Sequence, residues 1–145
     1  AEGGRGRIGP IALRADGSGG RSIVASADDP YLRMQGHDTF REAVRRLAEA
    51  TREAAELAAV GLDEIDLFVY HQANARILAA VAERLELDSE RVIDCIDRYG
   101  NTSAATLPIA LDEAAERGML ASGDTVLLAA FGAGFTYGAG VVTWA

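Results

Sequence analysis

The sequence predicts an α/β domain with a mixed sheet and flanking helices. Short, continuously apolar runs such as Leu67 to Tyr70 are typical of strands covered on both faces. These runs alternate with longer segments whose apolar residues recur at helical spacing. The chain has 145 residues, of which 49% are hydrophobic and 25% charged, so it is long enough for one domain with a substantial core.

The N-terminal segment contains weak strand signals. Arg7 to Arg14 combines apolar residues with a proline and predicts an irregular or edge strand. A turn rich in Gly and Ser follows over residues 15–20, and Ser22 to Ala25 predicts a short return strand. Asp28-Asp29-Pro30 then breaks the extended pattern.

Three helices follow from apolar spacing and end signals. The first begins near Thr39, where Thr39 and Glu42 form a capping box, and ends at Gly61. The second extends from Asn74 to Leu85, with apolar residues along one side. The third extends from Ser103 to Arg117, with a proline in its first turns.

The remaining apolar runs predict the rest of the sheet. They are Leu67 to Tyr70, Val92 to Ile96, Thr125 to Phe131 and Gly138 to Trp144. Together with the N-terminal edge strand they predict a mixed five-stranded sheet. The last two runs are rich in glycine and favour two strands around a turn over a membrane-spanning helix.

Composition excludes several classes of function. The 14 basic residues against 22 acidic give a net charge of −8, which disfavours non-specific binding to nucleic acid. All the basic residues are Arg, so the chain supplies no Schiff-base or Walker-type lysine. The start has no initiator Met and no signal pattern, and we expect the chain to be a piece of a longer protein.

The cysteine and histidine content predicts neither a disulfide nor a metal site. Cys95 is the only cysteine and lies within an apolar run, so we expect a buried structural thiol and a reducing, cytoplasmic setting. His37 and His71 are far apart in sequence, and the chain has no HExxH or CxxC motif. We expect His37 to be a solvated loop residue.

Two polar side chains follow predicted strands and precede helices. His71 comes after the run 67–70, and Asn101 lies in the turn before the helix over 103–117. In α/β sheets, catalytic groups commonly lie at the carboxyl ends of the strands. A neutral imidazole and a carboxamide would suit the stabilisation of a thioester enolate, whose negative charge develops on one oxygen. Read singly, His71 is better explained as a packed or capping histidine, and Asn101 as a turn or helix-cap residue. The two residues together indicate a site more strongly than either one alone.

A glycine-rich segment, Phe131 to Gly138, is the third candidate feature. Its spacing is GxGxxxG and a strand follows it, so it is not a dinucleotide fingerprint. Its small residues would let backbone amides approach a substrate oxygen closely, although a plain hairpin turn explains the pattern as well.

Arginines cluster on the first two predicted helices. They form a local cationic patch for a phosphate, a phosphopantetheine arm or an acidic carrier protein if both helices flank one pocket. For most of these arginines, ion pairs on solvated helix faces, such as Glu42 with Arg46, are the favoured interpretation. The residues concerned are Arg41, Arg45, Arg46, Arg76 and Arg84.

Three motifs occur in a characteristic order. HQANAR at 71–76, YGNTSAAT at 99–106 and FGAGFTYG at 131–138 resemble the C-terminal half of the β-ketoacyl–acyl-carrier-protein synthase III family, which belongs to the thiolase-like superfamily. The resemblance extends from about Tyr31 to Trp144. It implies a layered αβαβα fold and a homodimer. Residues 1–30 would then be a linker and edge-strand segment that joins a missing N-terminal half. Residues 31–145 would form the C-terminal thiolase-like domain that carries the catalytic His and Asn.

The resemblance also implies a Cys-His-Asn active site and a decarboxylative Claisen condensation of an acyl-CoA primer with malonyl-acyl-carrier protein, in fatty-acid or polyketide initiation. His71 and Asn101 match the family's catalytic histidine and asparagine, whereas the nucleophilic cysteine lies in the family's other half and is not Cys95. No covalently bound cofactor is implied; acyl-CoA and phosphopantetheine thioesters are the substrates. The remaining matches are an oxyanion loop at Gly132, Ala133 and Gly134, CoA and pantetheine contacts at Gly36, Phe40, Asn74 and Arg76, and carrier-protein docking at Arg76 and Arg41.

Two other functions remain open from the sequence. A relative in the same superfamily would use this site for plain acyl transfer onto a hydroxyl or an amine. A non-catalytic partner subunit would keep the fold and lend a dimer surface, although it has no chemical need for His71, Asn101 and the glycine loop together.

Overall fold

The computed structural model describes residues 6–145, and these form six strands and four α-helices. Four short 3-10 turns connect them. In chain order the elements are β1 (Arg7–Ala15), β2 (Ile23–Ser26), β3 (Asp29–Met34), α1 (Gly36–Ala58), β4 (Leu67–Tyr70), α2 (Ala75–Leu85), α3 (Ile96–Tyr99), α4 (Thr106–Glu116), β5 (Thr125–Gly132) and β6 (Thr136–Thr143).

The main sheet is mixed, as the sequence predicts. Its spatial order is β1-β6-β5-β4, with β4 and β5 parallel and the other pairs antiparallel. The prediction of five strands is wrong by one. Residues 92–96 form no regular strand: Val92 makes a single bridge to Phe68, and α3 begins at Ile96.

Strand β4 lies at the centre of the core because both of its faces are covered. Phe68 and Tyr70 point to the side occupied by α1 and α2, and both are fully buried. Leu67 and Val69 point to the opposite side, where they pack in one cluster with residues of α4. This two-sided burial explains the continuously apolar sequence of the strand and fixes the position at which the chain leaves the sheet.

Helix α1 starts and ends differently from the prediction. It begins at Gly36, because the N–H of Thr39 already donates to the carbonyl of Gln35 over 2.9 Å. Thr39 is therefore a buried residue of the first turn, and no capping box forms there. The helix ends at Ala58, and Ala59, in the left-handed conformation at φ 55°, closes it two residues before Gly61.

The N-terminal segment forms the open edge of the domain. Strand β1 is an edge strand, as predicted, and its register with β6 shifts between Ile8 and Ile11. The return strand β2 pairs with β3, a strand that was not predicted because Asp29-Pro30 is typical of a break in extended structure. Proline is compatible with this two-stranded sheet because both of its strands are edges.

Helix α2 lies where helical spacing predicts it. Helix α4 begins at Thr106 rather than at the predicted Ser103, because residues 103–105 form a 3-10 turn. Residues 1–5 of the predicted linker segment lie outside the described residues. Within residues 6–145, no helix is both long enough and apolar enough to cross a membrane.

Candidate active site

His71 is the first residue after β4 and is held by the sheet through its backbone. Its N–H donates to the carbonyl of Ala129 on β5 over 2.8 Å, and its carbonyl accepts from the N–H of Ala73 over 2.8 Å. The residue is half-buried, and the loss of solvation lowers the pKa of its imidazole below the ordinary 6.5. His71 is therefore neutral at pH 7 and carries one ring N–H that can donate.

The side chain of Gln72 anchors the backbone directly after His71. Its side chain is 2% exposed. The amide nitrogen donates to the carbonyls of Tyr70 and Ile93 over 3.0 and 3.1 Å, and the amide oxygen accepts from the N–H of Cys95 over 3.0 Å. Gln72 thus ties the end of β4 to the segment that leads into α3. Gln72 was not predicted as a site residue; its signal in the sequence is a polar amide two residues after a buried strand.

Asn101 lies on an exposed loop between α3 and α4. The preceding Gly100 has φ +66°, a conformation that favours glycine and turns the chain after α3. The side-chain oxygen of Asn101 accepts from the N–H of Ser103 over 3.0 Å. This bond leaves the amide NH₂ of Asn101 without an acceptor among the described residues, so it is available to a ligand.

The glycine-rich segment forms the turn between β5 and β6. Ala133 is exposed at its tip and has a negative φ, so its backbone needs no conformation reserved for glycine. Its N–H has no backbone acceptor within the described part of the chain. Gly134 has φ +133°, and a Cβ there would lie 2.7 Å from the hydroxyl oxygen of Thr136, so this position requires glycine.

One open cavity of about 1250 Å³ brings these segments together. Its wall includes His71, Asn101 and most of the other residues predicted for the site. Gly134 and Arg41 do not line it. The predicted residues on the wall are Gly36, Phe40, His71, Asn74, Arg76, Asn101, Gly132 and Ala133.

One end of the cavity lies between the N-termini of α1 and α2. Asn74 caps α2, since its side-chain oxygen accepts from the N–H of Arg76 over 2.9 Å. The guanidinium of Arg76 lies 5.5 Å from the centre of the Phe40 ring. Arg76 pairs with no carboxylate of the described residues, so its charge remains available at the cavity wall.

The predicted cationic patch is largely neutralised. Arg45 pairs with Glu42 and Glu49 at 2.5 and 2.8 Å. Arg46 pairs with Asp16 at 2.5 Å, and the predicted pair with Glu42 is present at 3.4 Å. Exposed Arg41 pairs with Asp38 at 3.4 Å, and Arg84 lies in the last turn of α2.

Of the other residues considered for chemistry, Cys95 lies outside the cavity wall, whereas His37 is part of it. Cys95 is a buried free thiol, as predicted, and desolvation together with nearby Glu113 raises its pKa. His37 is exposed, as predicted, but it lies in the first turn of α1 rather than in a loop. Among residues 6–145, no cluster of three or more His, Cys, Asp or Glu side chains is arranged to hold a metal ion.

The cavity wall also contains exposed apolar side chains from the open edge of the domain. Ile8, Ile11 and Leu13 of β1 are 76%, 57% and 69% exposed. Leu32 and Met34 of β3 add to the same surface.

Comparison with known proteins places this arrangement in a family. The family model "3-oxoacyl-[acyl-carrier-protein] synthase III C terminal" matches residues 55–144. A β-ketoacyl-[acyl-carrier-protein] synthase III of Streptomyces coelicolor is 46% identical over 91% of this chain and 40% of its own length.

Solved structures agree with the sequence comparison. A β-ketoacyl-[acyl-carrier-protein] synthase III from Thermus thermophilus superposes with a TM-score of 0.91 at 43% identity, over 100% of this chain and 48% of that protein. A priming β-ketosynthase of a polyketide biosynthetic pathway superposes with a TM-score of 0.86 at 34% identity, over 94% and 45%. The chain thus spans less than half the length of these relatives. It belongs to the 3-oxoacyl-[acyl-carrier-protein] synthase III C-terminal family, within the thiolase-like fold.

Proposed function

We propose that this chain is the C-terminal part of a condensing enzyme. The reaction joins an acyl-CoA primer to a malonyl-acyl-carrier protein with loss of carbon dioxide, at the start of fatty-acid or polyketide synthesis. The proposal depends on one observation. The neutral imidazole of His71 and the carboxamide NH₂ of Asn101 extend from two separate loops and line the same cavity.

His71 and Asn101 would act in the decarboxylation step. Breaking the carbon–carboxylate bond of the malonyl group releases carbon dioxide and leaves the electron pair on the thioester as an enolate. Two uncharged N–H donors stabilise the negative oxygen without forming a permanent ion pair with the substrate carboxylate. Burial supports this role for His71, since it keeps the imidazole uncharged at pH 7.

The glycine turn would act in acyl transfer and carbon–carbon bond formation. A cysteine of the N-terminal half takes the acyl group from CoA, and the CoA thiol leaves. The enolate carbon then attacks this acyl thioester, and the cysteine thiolate leaves when the tetrahedral intermediate collapses. The free N–H of Ala133 supports a role in holding the oxygen of that intermediate, with Gly132 and Gly134 shaping the turn.

The end of the cavity between α1 and α2 would receive the pantetheine arm. Gly36 and Phe40 at the start of α1 and the capped N-terminus at Asn74 line this end. Arg76 offers an unpaired charge for a phosphate or for acidic groups of the carrier protein. Arg41 would contribute to docking only after releasing Asp38.

The exposed apolar wall supports a further partner. Ile8, Ile11 and Leu13 would be covered by the N-terminal half of the enzyme, and the complete protein would be a cytoplasmic homodimer. This arrangement would close the cavity and bring the nucleophilic cysteine to His71.

The test uses the full-length protein that contains this chain, an acyl-CoA and malonyl-acyl-carrier protein labelled in its carboxylate. We expect release of labelled carbon dioxide together with a 3-oxoacyl product. Acyl transfer to a hydroxyl or an amine without carbon dioxide would replace the proposal by a plain acyltransferase. A protein that binds its partners and turns over no substrate would replace it by a non-catalytic subunit.

A further inference from the structure

A buried carboxylate lies behind the Asn101 loop, outside the cavity. Glu113 of α4 is 1% exposed and accepts hydrogen bonds from the Tyr99 hydroxyl at 2.7 Å and the Arg117 Nε at 2.6 Å. Arg98 donates to the same carboxylate. The bond from Tyr99, followed by that from Arg117, holds the pKa of Glu113 below its usual range, so the carboxylate is charged.

The Glu113 carboxylate is connected to Asn101 by hydrogen bonds to Arg98 and Tyr99, which lie close to Asn101 in sequence. Arg98 and Tyr99 are the last two residues of α3, and only Gly100 separates Tyr99 from Asn101. The side chains of the two residues that lead into the loop therefore both donate to the Glu113 carboxylate on α4. Arg117 completes the cluster and donates to the carbonyl of Asp94, just before α3.

The loop itself has few other restraints. Residues 98–101 and 103–105 are exposed. Asn101 bonds only within its own turn, to Ser103, and the hydroxyls of Thr102 and Thr106 make one further contact at 3.2 Å. The orientation of α3 against α4 therefore depends on the Glu113 cluster more than on the loop.

Stability alone is a weak reason for such a cluster. Removing a carboxylate from water is costly, and well-packed apolar residues often give equal or greater stability than a buried ion pair. What three donors on one carboxylate do provide is a single allowed arrangement of the groups that carry them. The cluster therefore contributes accurate positioning of these groups, and the nearest group that requires accurate positioning is the Asn101 amide.

We propose that Glu113 is a positioning residue for Asn101. By holding Arg98 and Tyr99 it fixes the end of α3, and so directs the Asn101 NH₂ towards the oxygen that His71 also contacts. The inference rests on the proposed function, because it assigns Glu113 an effect on enolate stabilisation and none on acyl transfer to the nucleophile.

The experiment compares two rates in the full-length protein. One is the release of carbon dioxide from malonyl-acyl-carrier protein, which uses Asn101. The other is the acylation of the enzyme by acyl-CoA, which does not. We expect Glu113→Gln, which keeps the shape and removes the charge, to lower carbon dioxide release by about tenfold to hundredfold, since a small misplacement of a catalytic group has such an effect. Acylation should change by less than about twofold.

Two further variants keep the test decisive. Tyr99→Phe removes one hydrogen bond to Glu113 and should lower carbon dioxide release by about threefold to tenfold, which is the effect of one ordinary hydrogen bond. It decides the matter if Glu113→Gln does not fold. Asp112→Asn, which makes the same carboxylate-to-amide change at an exposed position of the same helix, is the matched control and should leave both rates unchanged.

A double-mutant cycle identifies the target of Glu113. If Glu113 acts through Asn101, adding Glu113→Gln to Asn101→Ala should lower carbon dioxide release no further. Equal losses in both rates, or independent losses in the cycle, would overturn the inference while leaving the proposed function intact. An Asn101→Ala variant with normal carbon dioxide release would instead overturn the proposed function, and the inference with it.

Discussion

His71 and Asn101 reach one cavity from two differently built segments. His71 is held by backbone hydrogen bonds at the end of a fully buried strand, with Gln72 buried beside it. Asn101 lies on an exposed loop after a single helical turn, and side chains around Glu113 restrain that turn. A donor at a strand end is fixed by the fold itself, whereas a donor on a loop depends on individual side chains away from the cavity.

The largest expected effect is the loss of either donor. In the full-length protein, His71→Ala and Asn101→Ala should each lower carbon dioxide release from malonyl-acyl-carrier protein by about 100- to 1,000-fold, or about 2.7–4 kcal/mol. Unfolding in urea checks that each variant keeps its fold. Near-normal release in either variant would show that the corresponding segment does not supply an enolate donor.

Gln72 tests whether the strand-end segment is as rigid as the comparison requires. Gln72→Glu keeps the shape but places a carboxylate against the carbonyls of Tyr70 and Ile93. We expect a loss on the order of 3 kcal/mol in the free energy of unfolding, because two buried donors disappear. Exposed Gln35→Glu is the matched control and should change stability by less than about 1 kcal/mol. Equal effects in both variants would contradict the role assigned to Gln72.

The pH dependence separates the two donors, since only one of them titrates. Burial lowers the pKa of His71, and in the proposed mechanism the neutral imidazole is the active form. Carbon dioxide release should therefore be constant near pH 7 and fall about tenfold per pH unit once the pH drops below this lowered pKa. The native state also binds this proton less readily than the unfolded chain, so His71 reduces stability as the pH falls below 6.5.

Two variants identify the group responsible for this acid limb, the fall in carbon dioxide release at low pH. Asn101→Ala should keep it at a lower overall rate, because His71 is still present. His71→Gln, whose amide does not titrate, should lose it. A limb of unchanged position in His71→Gln would mean that another group controls the pH dependence.

The two segments also differ in how well the sequence predicts them. The apolar run of β4 and the polar residues after it are sufficient to predict the position of His71. A run of this kind predicts a strand that is buried on both faces, and His71 then lies at its end. Residues 92–96 show the same apolar character but form no strand. Gln72 occupies the carbonyl of Ile93 and the N–H of Cys95, which a neighbouring strand would use. No local pattern predicts that a distant side chain replaces a strand.

Glu113 was missed for a related reason. Its spacing to Arg117 is the i to i+4 spacing of an ordinary surface ion pair, and only the packing of α4 reveals that the carboxylate is buried. Thr39 illustrates the opposite error: its capping pattern is correct in sequence, but Gln35 and Gly36 begin the helix earlier. Sequence patterns singled out the two proposed donors, while the restraints on them depend on contacts between distant elements.

The smallest expected effect concerns the loop's own contact. Thr102→Val keeps the side-chain shape and removes the hydroxyl that contacts Thr106 at 3.2 Å. If the Glu113 cluster restrains the loop, carbon dioxide release should fall by less than about threefold, the effect of a weak hydrogen bond. A tenfold fall in Thr102→Val, with little change in Tyr99→Phe, would reverse this assignment. The loop would then be positioned by its own hydroxyl pair, and both donors would be held by local bonds rather than by two different means.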